Sequence, residues 1–256
     1  MSVLAVIPAR YASTRFPGKP LALLGGKSIV GRVWTAVAGM DFIDEAIVAT
    51  DDERIFSHIN QMAGYPAAMM TSDKHHSGTD RCGEVLQRLM DQGEHYDIVI
   101  NVQGDEPFVS EEQLRSLVDR FNNPDTDIAT LCTPITSQQE LLSPNNVKVV
   151  RGNGGQALYF SRQPIPYRRG IELEHWMDGM TYLKHVGIYA FRAETLQMIC
   201  NLPQAELEDC EKLEQLRWLS AGYTIGVEMT DHANIGIDTP ADLEAAEQWL
   251  KNRQIN

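Results

Sequence analysis

No stretch of this 256-residue chain stays apolar for the roughly 20 residues that a membrane-spanning helix needs, so insertion into a bilayer is not expected. Cysteine is sparse: Cys82, Cys132, Cys200 and Cys210 are the whole set, with no C-x-x-C spacing among them. That argues against a zinc site. Four thiols in a chain of this length do not make a disulfide scaffold either, and reduced cytosolic cysteines are expected. No signal-peptide pattern opens the sequence, because Pro8 and Arg10 interrupt its first apolar run, and a cytoplasmic protein is expected. Positive charge is scarce: 22 Lys and Arg stand against 35 Asp and Glu, a formal charge of -13. Such a chain has no broad basic face for nucleic acid or an anionic membrane. Internal repeats, low-complexity tracts and long linkers are missing too.

Against that background the first 40 residues stand apart. They hold five basic residues, Arg10, Arg15, Lys19, Lys27 and Arg32, and no Asp or Glu. Three of the five lie in IPARYASTRFPGKP, residues 7–20, directly after the apolar run 3–7. Arginine grips phosphate oxygens with a planar fork, and lysine adds a compact point charge. Gly18 permits close backbone approach, while Pro17 and Pro20 stiffen the loop. A cationic loop at a strand end, in an acidic protein, suits a polyphosphate. It is not a Walker loop, since G-x-x-x-x-G-K-[ST] does not occur there.

Residues 3–7, 46–50, 67–70, 98–102 and 128–134 are short runs rich in Val, Ile and Ala, as in strands buried on both faces. Between them, residues 28–39, 52–62, 79–91 and 110–121 carry helical patterns. The last begins Ser110-Glu-Glu-Gln113, the form of a capping box. This alternation predicts an α/β fold, with a mostly parallel sheet and helices on both faces. Ligands of such sheets bind beyond the strand C-terminal ends. The cationic loop, Thr50-Asp51-Asp52 and residues 103–107 all fall there. In the second half, residues 147–150, 157–161, 185–191 and 224–229 read as strands and 211–220 as a helix. Residues 163–183 lack a clear period and read as an insertion or flap. Thr239-Pro240 starts a final helix, with Thr at N-cap and Pro at N1. The expected organisation is one domain, 1–256, with an inserted region at roughly 151–190.

Four constellations carry chemistry. The cationic loop is the first. In Val102-Gln-Gly-Asp-Glu-Pro107, Asp105 directly follows a buried strand and suits Mg²⁺, which takes carboxylate plus substrate phosphate oxygens. Asp238, before the last helix, offers a second carboxylate for the same metal, a common phosphoryl-transfer arrangement; a turn or cap role explains it equally well. In His75-His-Ser-Gly-Thr-Asp-Arg81 the hydroxyls around Gly78 suit a base or ribose, with Thr79 as an alternative helix cap. The paired histidines lack a second ligand cluster at metal-binding spacing. Finally, Arg162 can pair with a substrate carboxylate, and His185, Tyr189 and Gln215 can bond sugar hydroxyls. Taken singly, a structural arginine, a core histidine and a packed tyrosine explain these residues as well.

In order, IPARYASTRFPGKPL, VATDDERI, HHSGTDR, VNVQGDEPF, SPNNVKVV, ALYFSR, KHVGIYAFR, LEQLRWL and GIDTPADLE span the chain nearly end to end. The series closely resembles the 3-deoxy-manno-octulosonate cytidylyltransferase family, the CMP-KDO synthetases. The resemblance implies a Rossmann-like nucleotide-sugar nucleotidyltransferase fold and a homodimer. It implies Mg²⁺-dependent transfer of CMP from CTP to the anomeric hydroxyl of KDO, releasing pyrophosphate, for lipopolysaccharide biosynthesis. A cytidylyltransferase for a related sugar acid, 8-amino KDO or a nonulosonate, would carry the same motifs. By motif, Arg10, Arg15 and Lys19 would hold the CTP phosphates. Ala9, Thr50, Ser77, Gly78 and Thr79 would frame cytosine and ribose, with Gln103 at the nucleotide–sugar boundary. Asp105 and Asp238 would ligate Mg²⁺, and Arg15, Lys19, Asp105 and Asp238 would form the catalytic set. Arg162, His185, Tyr189, Glu214 and Gln215 would bind the sugar acid. Phe16 stands where leucine is expected in many relatives, and Asp80 where glutamate is commoner.

Overall fold

A computed structural model describes residues 1–12, 15–232 and 236–254; Ser13 and Thr14 of the cationic loop lie outside the described residues. In chain order the elements are β1 (Val3–Ala9), β2 (Leu23–Leu24), β3 (Lys27–Ser28), α1 (Ile29–Ala38), β4 (Glu45–Thr50), α2 (Glu53–Ala63) and β5 (Ala68–Met70). There follow α3 (Gly78–Asp91), β6 (Ile98–Asn101), α4 (Glu111–Asp119), β7 (Ile128–Pro134), α5 (Gln138–Leu142), β8 (Lys148–Arg151) and β9 (Ala157–Ser161). The chain ends with β10 (Leu183–Arg192), α6 (Ala193–Ile199), α7 (Glu206–Glu211), α8 (Gln215–Ser220), β11 (Ile225–Met229) and α9 (Pro240–Gln254). The chain divides into two compact units, residues 1–115, 192–200 and 234–256, and residues 116–191 and 201–233. Among the described residues no helix is long and apolar enough to cross a membrane.

In the first unit β6, β1, β4 and β5 lie side by side, all parallel. The unalternated runs of β1 and β6 are almost wholly buried, whereas β5, at the edge, is half-buried. Parallel register aligns Ala9 with Thr50 and Thr50 with Met70. The cationic loop, Asp51-Asp52 and the loop to α3 therefore leave one edge of the sheet, as does the segment after β6. Local chemistry sets the helix starts. Asp52 caps α2 by accepting from the Arg54 N–H, and Ser110 and Gln113 cap each other reciprocally. Thr239 accepts from Asp242 N–H, and the Asp242 carboxylate accepts in return from Thr239 N–H. Thr79 is not a cap. Ser77 holds that position in extended conformation and forms a capping box with Asp80, which places Thr79 inside α3, buried. The β2–β3 hairpin lies outside the elements predicted from the sequence. Gly25 and Gly26 both have positive φ there, as a two-residue turn of mirror-image type requires.

In the second unit β7 pairs parallel with β11 and antiparallel with β10, while β8 bridges β10 and β9 antiparallel. The helix expected over 211–220 is two helices, because Lys212 adopts left-handed φ 52 between α7 and α8. Residues 163–183 hold little regular structure beyond a 3-10 turn, yet they are packed. Trp176 and Tyr182 join Ile135 and Leu141 in a buried cluster. One Arg168 nitrogen donates to the carbonyls of His175, Trp176 and Asp178.

Candidate active site

The charged cluster of the first unit assembles where its strands end. Gly18 has φ 74, and its N–H donates to the Tyr11 carbonyl at 3.0 Å, closing the loop on itself. Lys19 follows in a short 3-10 turn with its side chain 11% exposed. Gly104 lies so close to β1 that a Cβ there would come within 2.7 Å of the Pro8 carbonyl oxygen. Only glycine allows that approach, and it presses Asp105 toward the cationic loop. Ile237, buried with Leu24, Ile29 and Ala246, donates its N–H to the Asp105 carbonyl at 3.0 Å. That bond brings the segment before α9 alongside.

Two carboxylates from distant parts of the sequence thus meet one ammonium. Lys19 Nζ lies 2.6 Å from Asp105 Oδ2 and 3.2 Å from Asp238 Oδ1, and an Arg15 guanidinium nitrogen lies 3.1 Å from Asp238 Oδ2. Since Thr239 supplies the cap of α9, the Asp238 carboxylate is turned to the cations instead. A cleft of about 250 Å³ is lined by Arg10, Arg15, Lys19, Gln103, Asp105 and Asp238. Next to it, burial and then the charges of Asp105 and Asp238 raise the Glu106 carboxyl to about 7.

The other expected nucleotide contacts line the same strand ends. Arg10 donates to the His75 carbonyl. Ala9 and Thr50 are buried, and Thr50 Oγ1 accepts from Asp52 N–H. A Cβ added to Gly78 would come within 3.4 Å of the Pro8 ring and the Asn101 amide. Gln103 Nε2 donates to Asn101 Oδ1 at 3.5 Å. Two charged residues of this region carry no expected role. Arg81, fully buried, donates to Asp51 Oδ2 at 3.2 Å and to Thr71, and burial holds its pKa below the ordinary value. His75, in the same motif, pairs with Glu84. Charged residues at two neighbouring strand ends were the available signal.

The expected sugar-acid residues belong to the second unit. His185 and Tyr189 are four apart on β10, about 13 Å along a straight strand, yet their ring centroids are 5.3 Å apart. The register explains it. Val186 faces Leu131 and Tyr189 faces Thr130, so β10 bulges outward at Gly187 and Ile188. The Thr130 hydroxyl fills the bulge, 2.9 Å from His185 Nε2 and within hydrogen-bond distance of the Val186 and Ile188 carbonyls. Desolvation lowers the His185 imidazole to about 3, so it is neutral. Burial, with the Glu214 charge adding, raises the Tyr189 phenol well above its usual value. Gln215 is buried at the start of α8. The Arg162 guanidinium donates to the backbone carbonyls of Glu211, Pro144 and Lys212.

Comparison with known proteins gives the family. Residues 4–226 match the family described as Cytidylyltransferase. A protein of Phocaeicola vulgatus named 3-deoxy-manno-octulosonate cytidylyltransferase is 51% identical over 257 residues, 99% of either chain. One of the same name from Thermodesulfovibrio yellowstonii is 44% identical over 253 residues, 98% of each. The solved structure of CMP:2-keto-3-deoxy-manno-octonic acid synthetase complexed with CTP matches with TM-score 0.89 at 40% identity, over 99% of this chain and all of that one. A 4-diphosphocytidyl-2C-methyl-D-erythritol synthase, 15% identical with TM-score 0.63 over 97% of this chain and 98% of that one, shares the fold alone. The α/β architecture and its mostly parallel sheet are therefore those of a nucleotidyltransferase. The chain belongs to the cytidylyltransferase family and, within it, to the 3-deoxy-manno-octulosonate cytidylyltransferases.

Proposed function

We propose that this protein transfers the CMP moiety of CTP to the anomeric hydroxyl of 3-deoxy-D-manno-octulosonate, releasing pyrophosphate. The product would be the activated sugar acid for lipopolysaccharide assembly, made by a cytoplasmic homodimer. The convergence of Arg15, Lys19, Asp105 and Asp238 carries the reading, in a chain 51% identical to a relative bearing that name.

Mg²⁺ belongs to the proposal, and the donor set fits it. Asp105 and Asp238 already bracket one cationic position, the Lys19 ammonium, and their side chains are 34% and 48% exposed. Both donors are oxygens, as Mg²⁺ prefers. No cluster of three or more His, Cys, Asp and Glu forms a metal position among the described residues, so phosphate and water oxygens would complete the shell. When bound, the ion would offset charge at the transferring phosphate. The chain's own residues do the remaining work. Arg10, Arg15 and Lys19 hold the triphosphate, and Arg15 and Lys19 stabilise the departing pyrophosphate. In the acceptor region, neutral His185, Tyr189 and Gln215 direct hydrogen bonds at sugar hydroxyls. The sugar oxygen attacks the α-phosphorus in line, with no covalent enzyme intermediate.

The test is pyrophosphate release with CTP and Mg²⁺, offered KDO, 8-amino KDO or a sialic acid. Fastest release with KDO, abolished by EDTA and restored by Mg²⁺, is expected. Preference for another acid would reassign the acceptor, and no release by folded protein with any of the three would sink the reading.

A further inference from the structure

Between α7 and α8 the chain turns at Lys212, a non-glycine residue in a left-handed conformation that such residues rarely adopt. Something outside the turn must hold it. The Glu211 carboxylate accepts from Ser161 Oγ at 2.6 Å and from the Arg162 N–H at 2.9 Å. Arg162 answers with its side chain, donating from Nε to the Glu211 carbonyl at 2.7 Å and from a terminal nitrogen to the Lys212 carbonyl at 3.3 Å. Residues 162 and 211 are thus tied side chain to backbone in both directions, 49 positions apart in sequence. Directly beyond the corner come Glu214 and buried Gln215.

The same guanidinium reaches a second loop. It donates to the Pro144 carbonyl, while the buried Lys148 ammonium donates to the carbonyls of Ser143 and Asn146. The Val147 carbonyl at the end of that loop accepts the His185 N–H at 2.8 Å. A loop and a helix corner, each leading to expected sugar-acid residues, therefore share one anchor. Charge-assisted bonds are the strong ones in such a network.

We propose that Glu211 is a positioning residue for the sugar-acid end of the site, acting through Arg162 and the Lys212 corner to fix Glu214 and Gln215. The proposal rests on reading those residues as sugar-acid contacts. It is tested in full-length Glu211→Ala and Glu211→Gln by two readouts. The first is KM for KDO against KM for CTP, from pyrophosphate release. The second is the rate of tryptic cleavage after Lys212, whose side chain is 69% exposed, under native conditions.

Loss of charge-assisted bonds in Glu211→Ala should raise the KDO KM about tenfold, leave the CTP KM within about twofold, and speed cleavage after Lys212 about tenfold. Glu211→Gln, which keeps an acceptor oxygen, should recover most of both effects. An unchanged KDO KM, even with faster cleavage, overturns the proposal, as does a parallel rise in both KM values. If the unmodified protein does not use KDO, the functional reading fails separately and the cleavage rate alone decides the corner: faster in Glu211→Ala sustains it, unchanged overturns it. If Glu211→Ala does not fold, Ser161→Ala removes one of the carboxylate's partners and should show the same pattern at about threefold.

Discussion

Around Lys19 the charges are open to water to differing degrees. The Lys19 side chain is 11% exposed, Asp105 34%, Asp238 48% and Arg15 65%. His185 and Tyr189 are neutral and packed by rings: Phe160 edge-on at 5.1 Å from His185, and Trp218 edge-on at 5.1 Å from Tyr189. The proposed function accounts for the contrast by what each region would exchange. Ion pairs near solvent are weak, about 0–1 kcal/mol, so a polyphosphate can replace Asp105 or Asp238 as the partner of Lys19 at little cost. Groups that only have to point at hydroxyls gain direction from burial, provided that they carry no charge. On the proposed function, one region exchanges partners and the other keeps a fixed direction.

The contrast breaks if the charged cluster proves ornamental. Asp105→Ala removes one of the two carboxylates that bracket the cationic position. Turnover at saturating CTP should fall at least ~100-fold, the scale of losing a major electrostatic stabiliser, while the thermal unfolding midpoint stays close to that of the unmodified protein. Near-normal kcat would show that Asp105 only balances the Lys19 charge.

Its other half is sharpened by acid. Burial holds His185 at about 3 in the folded state, against about 6.5 in an unfolded chain. Between those values the unfolded state binds a proton that the folded state refuses, so stability rises with pH. As pH falls from about 6.5 toward 3, this one group lowers stability by up to about 1.4 kcal/mol per pH unit. His185→Gln keeps a hydrogen-bonding group near Thr130 and does not titrate. Its urea midpoint should therefore fall less steeply with acid than that of the unmodified protein. Equal slopes would mean that the imidazole is not held neutral by its surroundings.

The two regions were not equally legible in the sequence. The strands of the first unit could be read because burial on both faces leaves unalternated apolar runs, and Ser110 with Gln113 and Thr239 with Asp242 announce their helices by local chemistry alone. The α7–α8 corner could not be read this way. Helical periodicity continues across Lys212, and the left-handed turn is fixed by Ser161 and Arg162, some 50 positions away. The bulge that brings His185 to Tyr189 had only Gly187 as a local sign. The β2–β3 hairpin has a local sign in its paired glycines, Gly25 and Gly26. Lys19 meets Asp105 and Asp238 across 86 and 219 positions. Strand-end placement suggested that they share an edge, but the contact itself needed the fold, with Gly104 against β1 and Ile237 in the core.

The smallest effect probes a residue with two possible jobs. Ser77 Oγ accepts the Asp80 N–H at 3.0 Å and so caps α3, yet it also lies in the loop expected to meet cytosine and ribose. The cap uses the hydroxyl as an acceptor, which leaves its hydrogen able to point at a nucleotide. Ser77→Ala should lower stability by about 1 kcal/mol through the lost cap and should also raise the CTP KM. Ser77→Asn keeps a capping oxygen but places it on a bulkier amide. Melting temperature should then recover while the CTP KM stays raised, because a cap can be rebuilt with asparagine and a hydroxyl-to-nucleotide bond cannot. Recovery of both in Ser77→Asn would reduce Ser77 to a helix cap and leave nucleotide recognition at that strand end to its neighbours.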